Sequence, residues 1–299
     1  MNDETTVPDD TTDPREGQGG PPAQSIDHPG TSAQLEPAPD HGEDTYEGAG
    51  RLTDRVAIIT GGDSGIGRAT TIAFAREGAD VVVVHLPGEA EDAAEVARLV
   101  DAAGRSALTI AADLREHEAC RMVVDRTVER FGRLDILVNN AAYQCALTDG
   151  FVSLSAEQLE RTFRTNVFAT VWLTQAALDH MPPGSTVINT ASIQAYDPSP
   201  DLVDYACTKA AIVNLTRALG VQLADRGIRV NAVAPGPVWT PLIPATMPPD
   251  RVKGFGEDTP LGRPGQPAEL APTFVFLASD ASTYITGETI AVTGGRPTP

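Results

Sequence analysis

From residue 51 to the end of the chain, short apolar runs alternate with longer stretches in which apolar positions recur every three or four residues. The runs cover 56–60, 81–85, 107–111, 136–139, 186–189, 229–233 and 289–292. Most are apolar at nearly every position, the pattern of strands buried on both faces of a parallel sheet. The stretches 68–77, 90–103, 116–130, 156–180, 205–225 and 268–278 mix Ala, Leu, Arg and Glu at helical spacing. Strand alternating with helix predicts one α/β domain, a doubly wound parallel sheet of seven strands covered by helices on both faces.

Residues 1–50 have a different texture. They are rich in Pro, Gly, Asp, Glu and Thr, and hold 12 acidic residues against one basic residue, Arg15. That accounts for −11 of the formal charge of −19 carried by the 299 residues. So few large apolar side chains cannot offset the entropy of ordering the segment, which is expected to be a disordered or loosely draped acidic arm. Its removal, taken to residue 45, is expected to leave the folded domain's function nearly unchanged. The charge balance argues against nucleic acid and anionic membranes, because phosphate surfaces need clustered Lys and Arg. No apolar run approaches the length of a spanning helix, about 20 residues. Cys120, Cys145 and Cys207 have neither CxxC nor metal-ligand spacing, so reduced thiols, no metal and a cytoplasmic setting are expected.

The first predicted strand runs into Thr60-Gly61-Gly62-Asp63-Ser64-Gly65-Ile66-Gly67-Arg68. Glycines in a strand-to-helix turn allow a tight bend and a close approach of backbone to a pyrophosphate, with helix amides aimed at it. No GK[ST] follows, so this is not a P-loop. Further on, Tyr205-Ala206-Cys207-Thr208-Lys209 opens a predicted helix and places Tyr205 and Lys209 on one face. Lys209 and Lys253 are the only lysines, against 20 arginines. A phenol with an ordinary pKa near 10 is a poor base, and a neighbouring cation favours its ionised form. Ser192 follows the strand at 186–189, where open α/β sheets bind their ligands, and is placed to polarise a substrate oxygen. Asn166 falls inside the helix at 156–180, an unfavourable interior position for asparagine.

These elements, in this order, resemble the short-chain dehydrogenase/reductase family, whose glycine pattern is TGxxxGIG. The resemblance covers residues 51–299 and implies a Rossmann-type fold that moves a hydride between NAD(P) and an alcohol or carbonyl. It gives Tyr205 the role of general acid/base, assisted by Lys209 and Ser192, with Asn166 holding a water that relays protons from the lysine. For the cofactor it implies the turn residues Gly61, Asp63, Ser64, Gly65, Ile66 and Gly67, then His85 and Leu86 at the end of the second strand. Asp113 and Leu114 match the adenine contact. Asn140, Ala141 and Ala142 match the family's NNAG element with alanine in place of its glycine. Pro235, Gly236, Val238 and Thr240 match the segment that clasps the nicotinamide, beside Tyr205 and Lys209. Segments such as TGGDSGIGRA and PGPVWTPLIP are similar to a bacterial subgroup with a polar N-terminal extension, of general stress or glucose-dehydrogenase-like proteins.

The family's determinants of cofactor choice are both absent. His85 stands where a carboxylate would hold the ribose of NAD, and Ser64 where a base would hold the phosphate of NADP. Arg68 is the remaining cation within reach, and the balance leans to NAD. Residues 241–259 match the family's substrate lid, with Trp239, Leu242, Ile243, Met247 and Phe255 offering apolar walls and Gln144 and Gln194 polar ones. The resemblance also implies a homotetramer built on two long helices and the last strand. A non-catalytic nicotinamide-binding sensor or scaffold is the alternative, and it has no need of the intact set Asn166, Ser192, Tyr205 and Lys209.

Overall fold

The computed structural model describes residues 19–296. Seven parallel strands form one sheet in the order β3-β2-β1-β4-β5-β6-β7. They are β1 (Val56–Thr60), β2 (Asp80–His85), β3 (Ala107–Ala111), β4 (Ile136–Asn139), β5 (Thr186–Thr190), β6 (Arg229–Pro235) and β7 (Thr289–Val292). Sequence order reverses between β1 and β4, which lie side by side, so the crevice for a ligand opens beyond the carboxyl ends of these strands. Strands β1, β4 and β5 are buried at every position, which is why their sequences show no polar face.

Helices α1 (Gly65–Arg76), α2 (Ala90–Ala102) and α9 (Pro267–Ala278) cover one side through Ala73, Val96 and Phe274. The other side takes α3 (His117–Phe131), α5 (Ala169–Leu178) and α6 (Val203–Gln222), with Val123 and Leu173 in its core and Ile212 and Val213 in a cluster beside it. The expected lid at 241–259 contains two short helices, α7 (Leu242–Thr246) and α8 (Pro249–Val252).

The single long helix expected at 156–180 is interrupted. It runs as α4 (Ala156–Phe163), a π turn over Arg164–Phe168, then α5. The π turn inserts one residue and turns Asn166 inward, where it is 1% exposed. There its amide answers the main chain of Tyr143 at both ends: Tyr143 N donates to Oδ1 at 2.7 Å, and Nδ2 donates to Tyr143 O at 2.9 Å.

The arm departs most from expectation. Its first 18 residues lie outside the described residues, but residues 19–50 are draped tightly over the domain. Ile26 N donates to Pro244 O of α7 at 3.2 Å, and Ser32 N to Asp92 of α2 at 2.9 Å. Leu35 is buried with Trp239, Ile243 and Val252, and the Trp239 indole donates to Pro37 O at 2.7 Å. Further along, Asp40 N bonds Gln266 at the start of α9, and Arg76 binds the carbonyls of Gly42, Glu43 and Tyr46. The buried Glu77 carboxylate accepts from Tyr46 OH at 2.6 Å and from the amides of Ala49 and Arg51 at 2.9 Å. Composition hides this because the arm is held by polar groups of the domain that bind its backbone, and only a few of its side chains need be apolar.

Candidate active site

The switch point opens into a cavity of about 290 Å³. The β1–α1 turn forms its floor. Gly61 and Gly65 adopt φ of 60° and 49°, conformations open to glycine without strain. A Cβ on Gly67 would lie 1.8 Å from Gly61 O, so the turn closes only with glycine there. The α1 N-terminus therefore points its first amides at the cavity, as an anion site requires. Asn140 braces the turn, its Nδ2 donating to Thr60 O at 3.0 Å while Thr60 Oγ1 accepts the amides of Asn140 and Ala141.

Of the cofactor residues expected from the sequence, all but Gly67 line this cavity. Gly67 lies behind the wall, where its lack of a side chain allows the turn to pack. Ser192, Tyr205 and Lys209 line the cavity as well, whereas Asn166 stands outside it. Asn166 reaches the site only through Tyr143 and through Thr208 Oγ1, to which its Nδ2 donates at 3.0 Å.

Tyr205 is the third residue of α6, and Lys209 one turn on has its Nζ 5.3 Å from the centre of the phenol ring. Lys209 is 1% exposed and donates to Thr190 O at 2.7 Å. Ser192 Oγ accepts from Gln194 N at 3.1 Å, which fixes the oxygen and leaves its proton to donate elsewhere. Burial pushes the Tyr205 phenol up to about 12, with the Ser192 hydroxyl pulling the other way. Burial alone brings Lys209 down to about 7. The lowered phenol expected beside a lysine is thus not found, because burial dominates. Buried away from solvent, both groups favour their neutral forms.

Several wall residues carry no mark in the sequence. His28 and Pro29 of the arm line the cavity, together with Arg115, Tyr143 and Arg161. Arg161 lies over the Tyr143 ring at 4.0 Å and donates to His28 Nδ1 at 3.3 Å, while His28 meets Tyr143 edge-on. Burial, then Arg161 and Arg115, lower the His28 pKa, so the imidazole accepts as a neutral ring. Removal of the arm therefore takes away part of the cavity wall, contrary to the expectation that residues 1–45 are dispensable. Two other expectations change. Trp239 does not line the cavity but is buried beneath the arm, while Gln144 donates to Thr246 Oγ1 at 3.1 Å and ties α7 to the site.

A parallel sheet with a dinucleotide turn at its switch point, and a Tyr–Lys pair facing that turn, defines an α/β oxidoreductase. A family profile described as enoyl-(acyl carrier protein) reductase matches residues 61–296. The chain is 51% identical over 282 residues to the uncharacterized oxidoreductase YhdF of Bacillus subtilis (strain 168), covering 94% of this chain and 97% of that protein. It is 46% identical over 280 residues to glucose and ribitol dehydrogenase of Daucus carota, covering 92% and 96%. A short-chain dehydrogenase from Burkholderia cenocepacia J2315, solved in complex with NADP, superimposes with a TM-score of 0.75 at 32% identity, over 82% of this chain and 98% of that one. The chain belongs to the short-chain dehydrogenase/reductase family and is an NAD(P)-dependent dehydrogenase/reductase. Among the described residues, no helix is long and apolar enough to cross a membrane, and no cluster of side chains is arranged to hold a metal.

Proposed function

We propose that the protein interconverts an alcohol and its carbonyl, with Tyr205 as general acid/base and Ser192, Lys209 and Asn166 in support. The observation that carries this reading is the convergence of Tyr205 and Ser192 on the cavity wall, with Lys209 buried beside them and held by Thr190 O. NAD(P), when bound, supplies or accepts the hydride. The glycine turn and the α1 N-terminus hold its pyrophosphate, Asp113 and Leu114 its adenine, and the segment from Pro235 to Thr240 its nicotinamide end.

In the reductive direction, the Ser192 hydroxyl donates to the substrate oxygen and Tyr205 delivers its proton as the alkoxide forms. In the oxidative direction, Tyr205 takes that proton. Protonated, Lys209 beside the ring would stabilise the phenolate. Asn166 fixes Tyr143 and Thr208, and so the wall on which the substrate rests. Its side chain is committed to these partners, and its carbonyl oxygen accepts from Thr170 Oγ1 at 2.8 Å.

The substrate end carries both polar and apolar side chains, among them Gln144, Gln194, Leu242, Ile243, Met247 and Phe255. This suits a sugar, a polyol or a small aldehyde or ketone, and the name of the carrot relative favours the polyhydroxy members of that set. For the cofactor we favour NAD. Arg68, the cation nearest in sequence to the turn, is tied to Glu43 of the arm at 3.0 Å and to Glu95 at 3.1 Å. A homotetramer fits the exposed Phe168 and Val221 on the two long helical segments and Tyr284 before β7. A cytoplasmic setting fits three free cysteines.

The test is turnover of the purified protein with NADH and NADPH against a panel of aldehydes, ketones, sugars and polyols. Turnover is expected, faster with NADH. Tight nucleotide binding without turnover of any member would instead support the sensor reading.

A further inference from the structure

Asp204 stands immediately before Tyr205, in the first turn of α6, and is 1% exposed. Its Oδ2 accepts from Thr162 Oγ1 at 2.7 Å and from Gln158 Nε2 at 3.3 Å, both on α4. Its Oδ1 has no hydrogen-bond partner among the described residues. Burying a carboxyl group against neutral partners, with one oxygen left over, works against stability and calls for an account. Capping does not supply one, since the N-cap of α6 is Leu202, which makes no side-chain bond. Both bonds of the group run sideways, from the helix that carries the phenol to the helix beside it.

A second tie of the same kind lies one turn further on. Asn166 Nδ2 donates to Thr208 Oγ1 at 3.0 Å, and Thr208 Oγ1 donates to Tyr205 O at 2.6 Å. Asp204 and Thr208 each precede a member of the Tyr205–Lys209 pair by one residue. They are held by Thr162 and Asn166, themselves four residues apart. Successive residues of a helix project about 100° apart. Holding Asp204 and Thr208 against α4 and the π turn therefore directs Tyr205 and Lys209 to the cavity, which both of them line. The Asp204 tie acts on the first turn, where the helix has no side-chain cap and the phenol sits.

We infer that Asp204 is the positioning residue for Tyr205: by docking the first turn of α6 on Thr162 and Gln158, it sets the rotation at which the phenol meets the Ser192 hydroxyl. The inference rests on the proposed role of Tyr205 as acid/base. Asp204 does not line the cavity, so it acts through its neighbour and not on the substrate. The same Gln158 amide donates to Cys145 O at 3.0 Å, next to Gln144 of the cavity wall. One docking point thus serves both the phenol and the wall that faces it.

The test uses the full chain, saturating NADH and a substrate that the wild type turns over. Asp204→Ala removes the docking oxygens, whereas Asp204→Asn keeps one. Asp204→Ala is expected to lower kcat by about 10- to 100-fold, since a misplacement of about 1 Å costs up to about 10². KM and the NADH dissociation constant should stay nearly unchanged, and Asp204→Asn should restore most of kcat. Thr162→Val removes the donor without emptying its position. It should shift kcat the same way by less, and it carries the test if Asp204→Ala does not fold. Combined with Tyr205→Phe, either change should lower the residual turnover no further, because a residue acting through the phenol oxygen then has nothing to position. The role of Asp204 is overturned by an equal loss in the Tyr205→Phe background, by a kcat loss matched by lost nucleotide binding, by Asp204→Asn no better than Asp204→Ala, or by unchanged kcat. Wild-type turnover by Tyr205→Phe alone overturns instead the acid/base reading beneath it.

Discussion

The sheet domain and the arm are ordered by different means. In the domain, contiguous runs such as 56–60 and 81–85 are buried residue by residue, and each strand is held by the apolar faces above and below it. In the arm, order comes from single anchors. Leu35 enters the cluster under the lid, Glu77 gathers one hydroxyl and two amides, and Arg76 binds three carbonyls. Regular burial leaves a period in the sequence, and isolated anchors leave none. A Pro- and Asp-rich segment can thus complete a binding site while its composition reads as solvated chain.

The sharpest way to break that comparison is to delete residues 1–47. If the arm is a wall of the site, the NADH dissociation constant should rise by about tenfold or more, because His28 and Pro29 leave the cavity and α7 loses its bond to Ile26. Trp239, 1% exposed in the intact chain, should become solvated, which a red shift of its fluorescence would report. Native fluorescence with unchanged affinity would show that the arm only rests on the domain.

A smaller change sharpens the same point. Leu35→Ala empties one position beneath the lid, where Leu35 is 5% exposed. Truncating a buried leucine costs about 2–5 kcal/mol. If arm and domain melt as one unit, the midpoint of thermal unfolding should fall by several degrees, with nucleotide affinity following. If they do not, the main transition should stay in place while hydrogen exchange quickens only in residues 26–37.

These differences also explain what was legible in advance. All seven strands are visible in the apolar runs, with ends displaced by at most two residues, because fully buried parallel strands tolerate few polar positions. Tyr205, Lys209, Ser192 and the glycine turn are legible because their chemistry constrains both residue type and spacing. The π turn at Arg164–Phe168 is not, since its cause is a bond from Asn166 to a main chain 23 residues away. The rim formed by His28, Arg115 and Arg161 brings together three distant segments, none of which carries a local pattern. Arg68 looked free to meet a phosphate, and it is buried with two carboxylates, one of them supplied by the arm.

The central claim is that the Tyr205 phenol carries the proton. The most direct measurement is turnover of Tyr205→Phe beside wild type at saturating cofactor, on a substrate that the wild type reduces, with nucleotide affinity measured on both. A positioned acid/base contributes about 10²–10⁴-fold. A loss of kcat in that range with nearly unchanged nucleotide affinity is expected. Equal turnover after loss of the phenol oxygen would contradict it.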